Sequence, residues 1–362
     1  MYTPGEDLTP PARIAIVGAA VVIILAGIRV ATPILGPFLI AIFFAMITAP
    51  VMAWLTRRRV PPALAAGVVV TGLIGILTGA TLFLGAAFTG FIRTLPRYLK
   101  ALEEQAGALT GYGIDPASIR IWDYIDQETA IREAAGIARE AGTIAFDAFL
   151  VAMAIVFLLL EAPRLAAGLR RHLGAESPLY QHFSQSSQVL IEYTIVRTKV
   201  NLITGAGIAI FLYIFGIEFA ALWGFVAFVL SHIPYIGLTI AAIPPTLIAL
   251  AEKGLVGAVT IIIAITIINT IVENLIFPRI ASQGLNLSPF IILFSVVFWA
   301  LILGAVGVFL AIPLTIAVKL FLESLGGDTV DRRADGCKGS GGETEMIRQC
   351  RVPGQRVFLQ LR

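Results

Sequence analysis

The 362-residue chain is 58% hydrophobic and only 14% charged, with 26 Lys and Arg against 23 Asp and Glu and a formal net charge of +3. With a mean hydropathy of +0.90, this composition excludes a soluble globular domain, marks an integral membrane protein and gives no support to nucleic-acid binding. The two cysteines, Cys337 and Cys350, lie near the C-terminus in no metal-ligand spacing, so no disulfide framework, metal site or other cofactor is expected.

A spanning helix needs about 20 apolar residues. The first apolar run, about Arg13 to Arg29, lacks a small-residue cleavage site and is followed at once by a second, about Pro33 to Leu55. It reads as a retained span rather than a signal peptide. Arg57, Arg58 and Arg59 then place a short loop in the cytoplasm, and with it the N-terminus two spans earlier. Pro61 and Pro62 suit a helix start. The glycine-rich third span, about Ala63 to Phe91, reads as a closely packed interior helix and completes an N-terminal membrane region, residues 1–92.

Residues 93–142 turn polar and acidic, and three crossings place this insertion outside. Trp122, Ile125, Ile131 and Ile137 among charged residues predict two short amphipathic helices, broken near Tyr112-Gly113 and Pro116, that form a solvated cap. A fourth span, residues 143–160, returns the chain to the cytoplasm, where Arg164, Arg170, Arg171, Arg197 and Lys199 outnumber the acids. Within that segment, residues 161–199, Ser177 to Thr198 reads either as an amphipathic helix on the membrane surface or as a simple connector.

Residues 200–325 form a C-terminal transmembrane region. Spans at about Val200 to Ile217 and Ala220 to Leu230 lead to a break at Pro234 and Gly237, an apolar stretch to Ala251, a Glu252-Lys253 turn, and a span from Leu255 to Ile276. Ser288 to Leu322 is too long for one untilted helix and contains Gly304, Gly307 and Pro313. Counting the broken segment and this last region once each gives about eight spans, and counting each twice gives ten. Both leave both termini cytoplasmic. The predicted class is all-α: a polytopic transmembrane helical bundle of about eight spans, with discontinuous helices in its C-terminal half and a helical extramembrane insertion. Ala242-Ile243-Pro244-Pro245-Thr246 echoes Ala311-Ile312-Pro313-Leu314-Thr315, either as paired interrupted helices or as chance similarity of apolar stretches. The tail, residues 326–362, has too few apolar residues to order itself.

Two polar islands interrupt this apolar half, one of them running from Glu273-Asn274 through Pro278-Arg279 to Leu287-Ser288-Pro289. Ionisable groups and helix breaks at membrane depth are costly unless they face protein or water, so they point to a pathway or a binding site. Thr266, Asn269, Thr270 and Glu273 recur at i, i+3, i+4 and i+7, and Asn274 follows. That stripe belongs on one helix face, turned toward the bundle interior or a cavity. Glu273 there has two readings: a proton carrier or cation ligand, or half of a structural ion pair with Arg279. The other island is Ser231-His232-Ile233-Pro234-Tyr235-Ile236-Gly237. Pro234 and Gly237 free backbone groups that can line a cavity, Tyr235 adds a ring and a hydroxyl, and His232 is either a titratable carrier or a satisfied hydrogen-bond partner. The pattern reads as a transporter of a small molecule or cation. No Gly-x4-Gly-Lys-Ser/Thr loop is present to use ATP, and no paired aspartates or His-rich motif indicates an intramembrane enzyme. A non-transporting membrane scaffold would explain the insertion but neither Glu273 nor the Pro-Gly break.

Ile233-Pro234-Tyr235-Ile236-Gly237, Ala241-Ala242-Ile243-Pro244, Glu273-Asn274 with Pro278-Arg279, Gly284-Leu285-Asn286-Leu287-Ser288-Pro289, and Gly307 to Pro313-Leu314 together resemble the autoinducer-2 exporter family of bacterial permeases. The resemblance covers about Ala12 to Leu325. It implies a multi-pass transporter of the bacterial inner membrane that tends to form homo-oligomers. Some members are linked to export of the quorum-sensing signal autoinducer-2 and others to sodium or lithium/proton antiport. Ser231 stands where the family usually has an acidic residue, and Leu238 where it often has proline, so Glu273 would act here without a second carboxylate at the break.

Overall fold

The computed structural model describes residues 10–109, 141–280 and 288–322, and every regular element among them is helical. Helices α1 (Pro10–Val30) and α2 (Thr32–Arg57) are separated by a single residue. α3 (Pro62–Leu109) starts on Pro62, where the missing N–H is no loss. α4 (Ala141–Leu173), α5 (Pro178–Ile214), α6 (Ala220–Leu230), α7 (Gly237–Ile271) and α8 (Pro289–Phe309) follow. Among the described residues, six helices are long and apolar enough to cross a membrane. The expected polytopic helical bundle is thus the fold found.

Two of the expected boundaries shift. α3 does not end near Phe91 but runs 48 residues, about 72 Å at 1.5 Å per residue, well beyond a hydrocarbon core of about 30 Å. Residues 93–109 therefore continue the helix past the membrane, because good helix formers prevail from Leu99 to Ala106 and Gly107 comes only at its last turn. The two short helices expected further along the insertion, the Gly284-Leu285-Asn286-Leu287 motif and the tail beyond residue 322 lie outside the described residues. The second shift is at α5, a single 37-residue helix that joins the supposed surface segment to the supposed span at Val200. No glycine or proline stands between Pro178 and Gly205 to separate them.

Two apolar clusters organise the bundle. Ala41 and Met52 of α2, Ala65, Ala66, Val69 and Val70 of α3, and Ile155 and Leu159 of α4 form one. The other joins α5, α6 and α7 through Ile208, Leu212, Trp223, Ile248, Ile261 and Ile265, and Tyr98 of α3 completes it. α3 is long enough to serve both. α5 and α6 approach closely through small residues: a Cβ on Gly205 would lie 2.6 Å from the Gly224 carbonyl oxygen, and one on Gly224 would strike Cβ of Ala209.

The C-terminal half follows the path in which each broken region is two limbs. α6 has only 11 residues, about 16 Å, which reaches roughly halfway through a bilayer core. The chain reverses over residues 231–236 and enters α7. α7 reverses in turn at Gly254, whose φ of 66° and ψ of −164° leave the helix. Glycine adopts that backbone without steric penalty. Beyond it the limbs lie side by side, with the site of a Cβ on Gly257 only 2.9 Å from the Ala249 carbonyl oxygen. α6 and the first limb of α7, residues 237–253, thus form a hairpin that returns to the end of the bundle it left. α8 reverses in the same way at Gly304, where φ is 61°.

Both ends of the hairpin are held by α3. Arg97 pairs with Glu218, just before α6, at 2.8 Å and with Glu252, at the end of the first limb, at 3.6 Å, while the Tyr98 hydroxyl donates to Glu218 at 2.6 Å. The Tyr98 hydrogen bond, and after it Arg97, hold the Glu218 carboxyl below its usual value of 4.5. A depressed carboxylate pKa contributes stability that is present above the unfolded value and is lost as pH falls through the folded one. The melting temperature in detergent is therefore expected to be level from neutral pH down to about pH 5 and to fall below that. Glu218→Gln should lower it by a few degrees at neutral pH and flatten the acid limb. An unchanged acid limb in that variant would show that the clasp contributes nothing.

Candidate cavity at the hairpin tip

A cavity of about 1240 Å³ opens beside the tip of the hairpin. Its walls come from α5 (Glu192, Tyr193, Arg197), the tip (Ser231, Pro234, Tyr235), the first limb of α7 (Thr239, Thr246) and the second (Thr266, Asn269, Thr270, Glu273, Asn274). Leu, Ile, Val, Ala, Pro and Phe side chains fill the space between these polar groups. Drug-sized ligands occupy pockets of roughly 300–1,000 Å³, so the volume accepts a small solute with room for its water.

The polar stripe read from the sequence faces this space. Thr266, Asn269, Thr270 and Glu273 all line it, as the period of 3.6 requires. α7 widens to a π-helical turn over Val272–Ile276, the stretch that carries Glu273 and Asn274. The wider turn keeps both side chains on the cavity side, and such turns occur often at functional sites. Ser231, Pro234 and Tyr235 of the other island also line the cavity. Tyr235 holds a φ of 62°, and the residue is 62% exposed. A left-handed non-glycine residue costs roughly 1–2 kcal/mol and tends to persist where the site needs its side chain.

His232, Gly237 and Arg279 do not line the cavity. His232 points away from it, stacked 4.7 Å from the Phe309 ring and edge-on to Phe43 and Phe228. Its Nδ1 is 3.2 Å from the carbonyl oxygens of both Phe228 and Val229, so Nδ1 carries the proton and donates. Gly237 shapes the tip instead, since a Cβ there would strike the Leu230 carbonyl oxygen.

Glu273 is ion-paired, but not with Arg279, the partner expected from the sequence. Arg279 is exposed. The guanidinium that meets the carboxylate belongs to Arg197, whose Nη1 lies 2.8 Å from Glu273 Oε1 while Nη2 donates to the Ser231 carbonyl at 3.2 Å. Arg197 was read from the sequence as a cytoplasmic loop charge. It is in fact an interior residue of α5, its side chain 17% exposed. The available signal was a polar stripe at i, i+4 spacing, Tyr193, Arg197, Asn201 and Gly205, running through the middle of α5. One guanidinium thus joins three elements: α5, the hairpin tip and the second limb of α7. Among the described residues no group of three or more His, Cys, Asp or Glu side chains is placed to hold a metal ion.

A family model described as AI-2E family transporter matches residues 19–327, most of the chain. The chain belongs to the AI-2E transporter family. It is similar to the AI-2 transport protein TqsA of Escherichia coli K12, with 33% identity over 322 residues that cover 87% of this chain and 93% of the relative. A putative transport protein of Haemophilus influenzae is 31% identical over 84% of this chain and 91% of its own length. The putative transport protein YhhT of Escherichia coli K12 is 28% identical over 90% and 95%. As an AI-2E transporter the chain is a multi-pass membrane protein of a transport family, and the cavity is where its described residues concentrate polar groups between apolar helices.

Proposed function

We propose that this AI-2E transporter moves a small, uncharged, hydroxyl-bearing solute across the membrane through the cavity at the hairpin tip, with autoinducer-2 as the first solute to test. The observation that carries this reading is the polar stripe of the second limb of α7, turned into a cavity whose α5 wall supplies Arg197, the ion-pair partner of Glu273 in that stripe. Threonine hydroxyls, asparagine amides and the Tyr235 hydroxyl supply donors and acceptors suited to hydroxyl groups. The lining holds one basic side chain, Arg197, against two carboxylates, Glu192 and Glu273, which does not favour an anion. TqsA bears the name of an AI-2 transport protein, and its likeness to this chain extends across the cavity. The same reading puts the chain in the bacterial inner membrane as a homo-oligomer with both termini in the cytoplasm.

The test is autoinducer-2 movement in proteoliposomes. The protein should raise the flux at least about tenfold over empty liposomes, and Asn269→Leu should remove about a factor of ten by deleting a hydrogen-bonding group worth roughly 1.4 kcal/mol. A flux equal to that of empty liposomes would rule out autoinducer-2. Equal rates for the parent and Asn269→Leu would remove the stripe from the path.

A further inference from the structure

Behind the hairpin tip lies a set of buried polar atoms with no hydrogen-bond partner among the described residues. They are Nε of Arg197, both amide atoms of Asn201, Oγ of Ser231 and Nε2 of His232. Asn201 is 1% exposed, and Ser231 and His232 are 8% exposed each. Buried hydrogen-bonding groups left unpaired cost a sizeable part of a protein's net stability, and in folded proteins they are met by a protein group or an ordered water. Orphaned atoms on adjacent residues indicate a shared partner.

The contacts of α5 with α6 place these groups together. Arg197, Asn201 and Gly205 follow one another at i, i+4 spacing on a single face of α5. Arg197 reaches the Ser231 carbonyl, and a Cβ on Gly205 would lie 2.7 Å from Cβ of Phe228. Asn201 lies between those two contacts, so it faces the last turn of α6 from Phe228 to Ser231. His232 follows at once, and its Nδ1 is already engaged by the Phe228 and Val229 carbonyls, which leaves Nε2 as an acceptor.

The chemistry of the set selects its ligand. Arg197 Nε and the Asn201 amide nitrogen can only donate, His232 Nε2 and Asn201 Oδ1 accept, and Ser231 Oγ does either. A cation would leave the donors unmet and would lie beside the Arg197 guanidinium. An anion would face the carbonyl end of α6, the negative pole of that helix. Neutral molecules of water size, which both donate and accept, suit donors and acceptors alike, and because one water makes at most four hydrogen bonds, the five atoms call for at least two of them. We propose that Asn201, Ser231, His232 and Arg197 Nε form a second site, behind the hairpin tip, that binds water and opens onto the solute cavity through Ser231 and Arg197. The tip then stands between two wet faces. It can shift between positions without leaving its polar groups dry, whichever solute the cavity takes.

Cysteine reactivity tests this in the full-length protein with Cys337 and Cys350 replaced by serine. A thiol reacts as its thiolate, which forms readily only where water reaches it. Asn201→Cys is expected to react with methyl methanethiosulfonate about tenfold or more faster than Val200→Cys. Val200 is the preceding residue, 0% exposed and packed among apolar side chains. His232→Cys, compared with Ala227→Cys on α6, reads the same site if Asn201→Cys does not elute as folded protein. Reactivity at Asn201 and His232 no greater than at their dry neighbours would overturn the proposal.

Discussion

Arg197→Met is expected to reduce solute flux about a hundredfold and to lower stability by about 2–3 kcal/mol. Two effects add in this variant. The Glu273 carboxylate loses its counter-charge at membrane depth, and the hairpin tip loses the donor that holds the Ser231 carbonyl. Breaking a dry buried ion pair costs about 3–5 kcal/mol, and the lower figure reflects the opening of both side chains onto the cavity. Glu273→Gln should be milder in stability, because the amide oxygen can still accept from Arg197, and comparable in flux if the charge itself takes part. The double variant separates the roles. Replacing both partners leaves no unpaired charge, so thermal melting in detergent should return most of the way to the parent value. Flux should stay low. Restoration of both stability and flux in the double variant would mean that the pair serves the fold alone and that solute passes elsewhere.

What could be read from the sequence follows from what a lipid environment constrains. A lipid-facing helix tolerates no polar stripe, so Thr266, Asn269, Thr270 and Glu273 announced an inward face through spacing alone, and the cavity is where they point. Pro234 and Gly237 announced a break for the same reason, since their freed backbone groups need protein or water. Arg197 was missed because a basic residue near a span end satisfies the positive-inside expectation equally well as a topological charge, and that reading made a partner for Glu273 unnecessary on α5. Arg279 was the partner expected instead, from nearness in sequence. The reversal at Gly254 follows directly on the Glu252-Lys253 turn that the sequence marked. Gly304 was one of three candidate interruptions between Ser288 and Leu322, and since a glycine in an apolar run is also ordinary helix packing, only the fold shows that it turns the chain.

Gly237→Ala is the substitution expected to do most damage for the fewest atoms. The added methyl would fall on the Leu230 carbonyl oxygen, lie 2.6 Å from its carbon, and come within 3.2 Å of Cβ of Ile233. Leu230 ends α6 and its carbonyl accepts from the Ile233 amide at 2.8 Å, so the obstacle is backbone already committed to the turn. A flexible side chain could swing aside, whereas this carbonyl can move only by opening the tip. The expected loss is about 3 kcal/mol or more, beyond ordinary overpacking, with flux abolished because Ser231, Pro234 and Tyr235 would no longer line the cavity together. Gly67→Ala is the matched comparison. Its Cβ would meet nothing within 4 Å, and a mid-helix alanine is favoured over glycine by roughly 0.5–1 kcal/mol. Thermal melting and flux measured on both variants decide the point. A Gly237→Ala protein that melts and transports like Gly67→Ala would mean that the tip has room to relax and that the close packing of α6 on α7 does not fix the cavity.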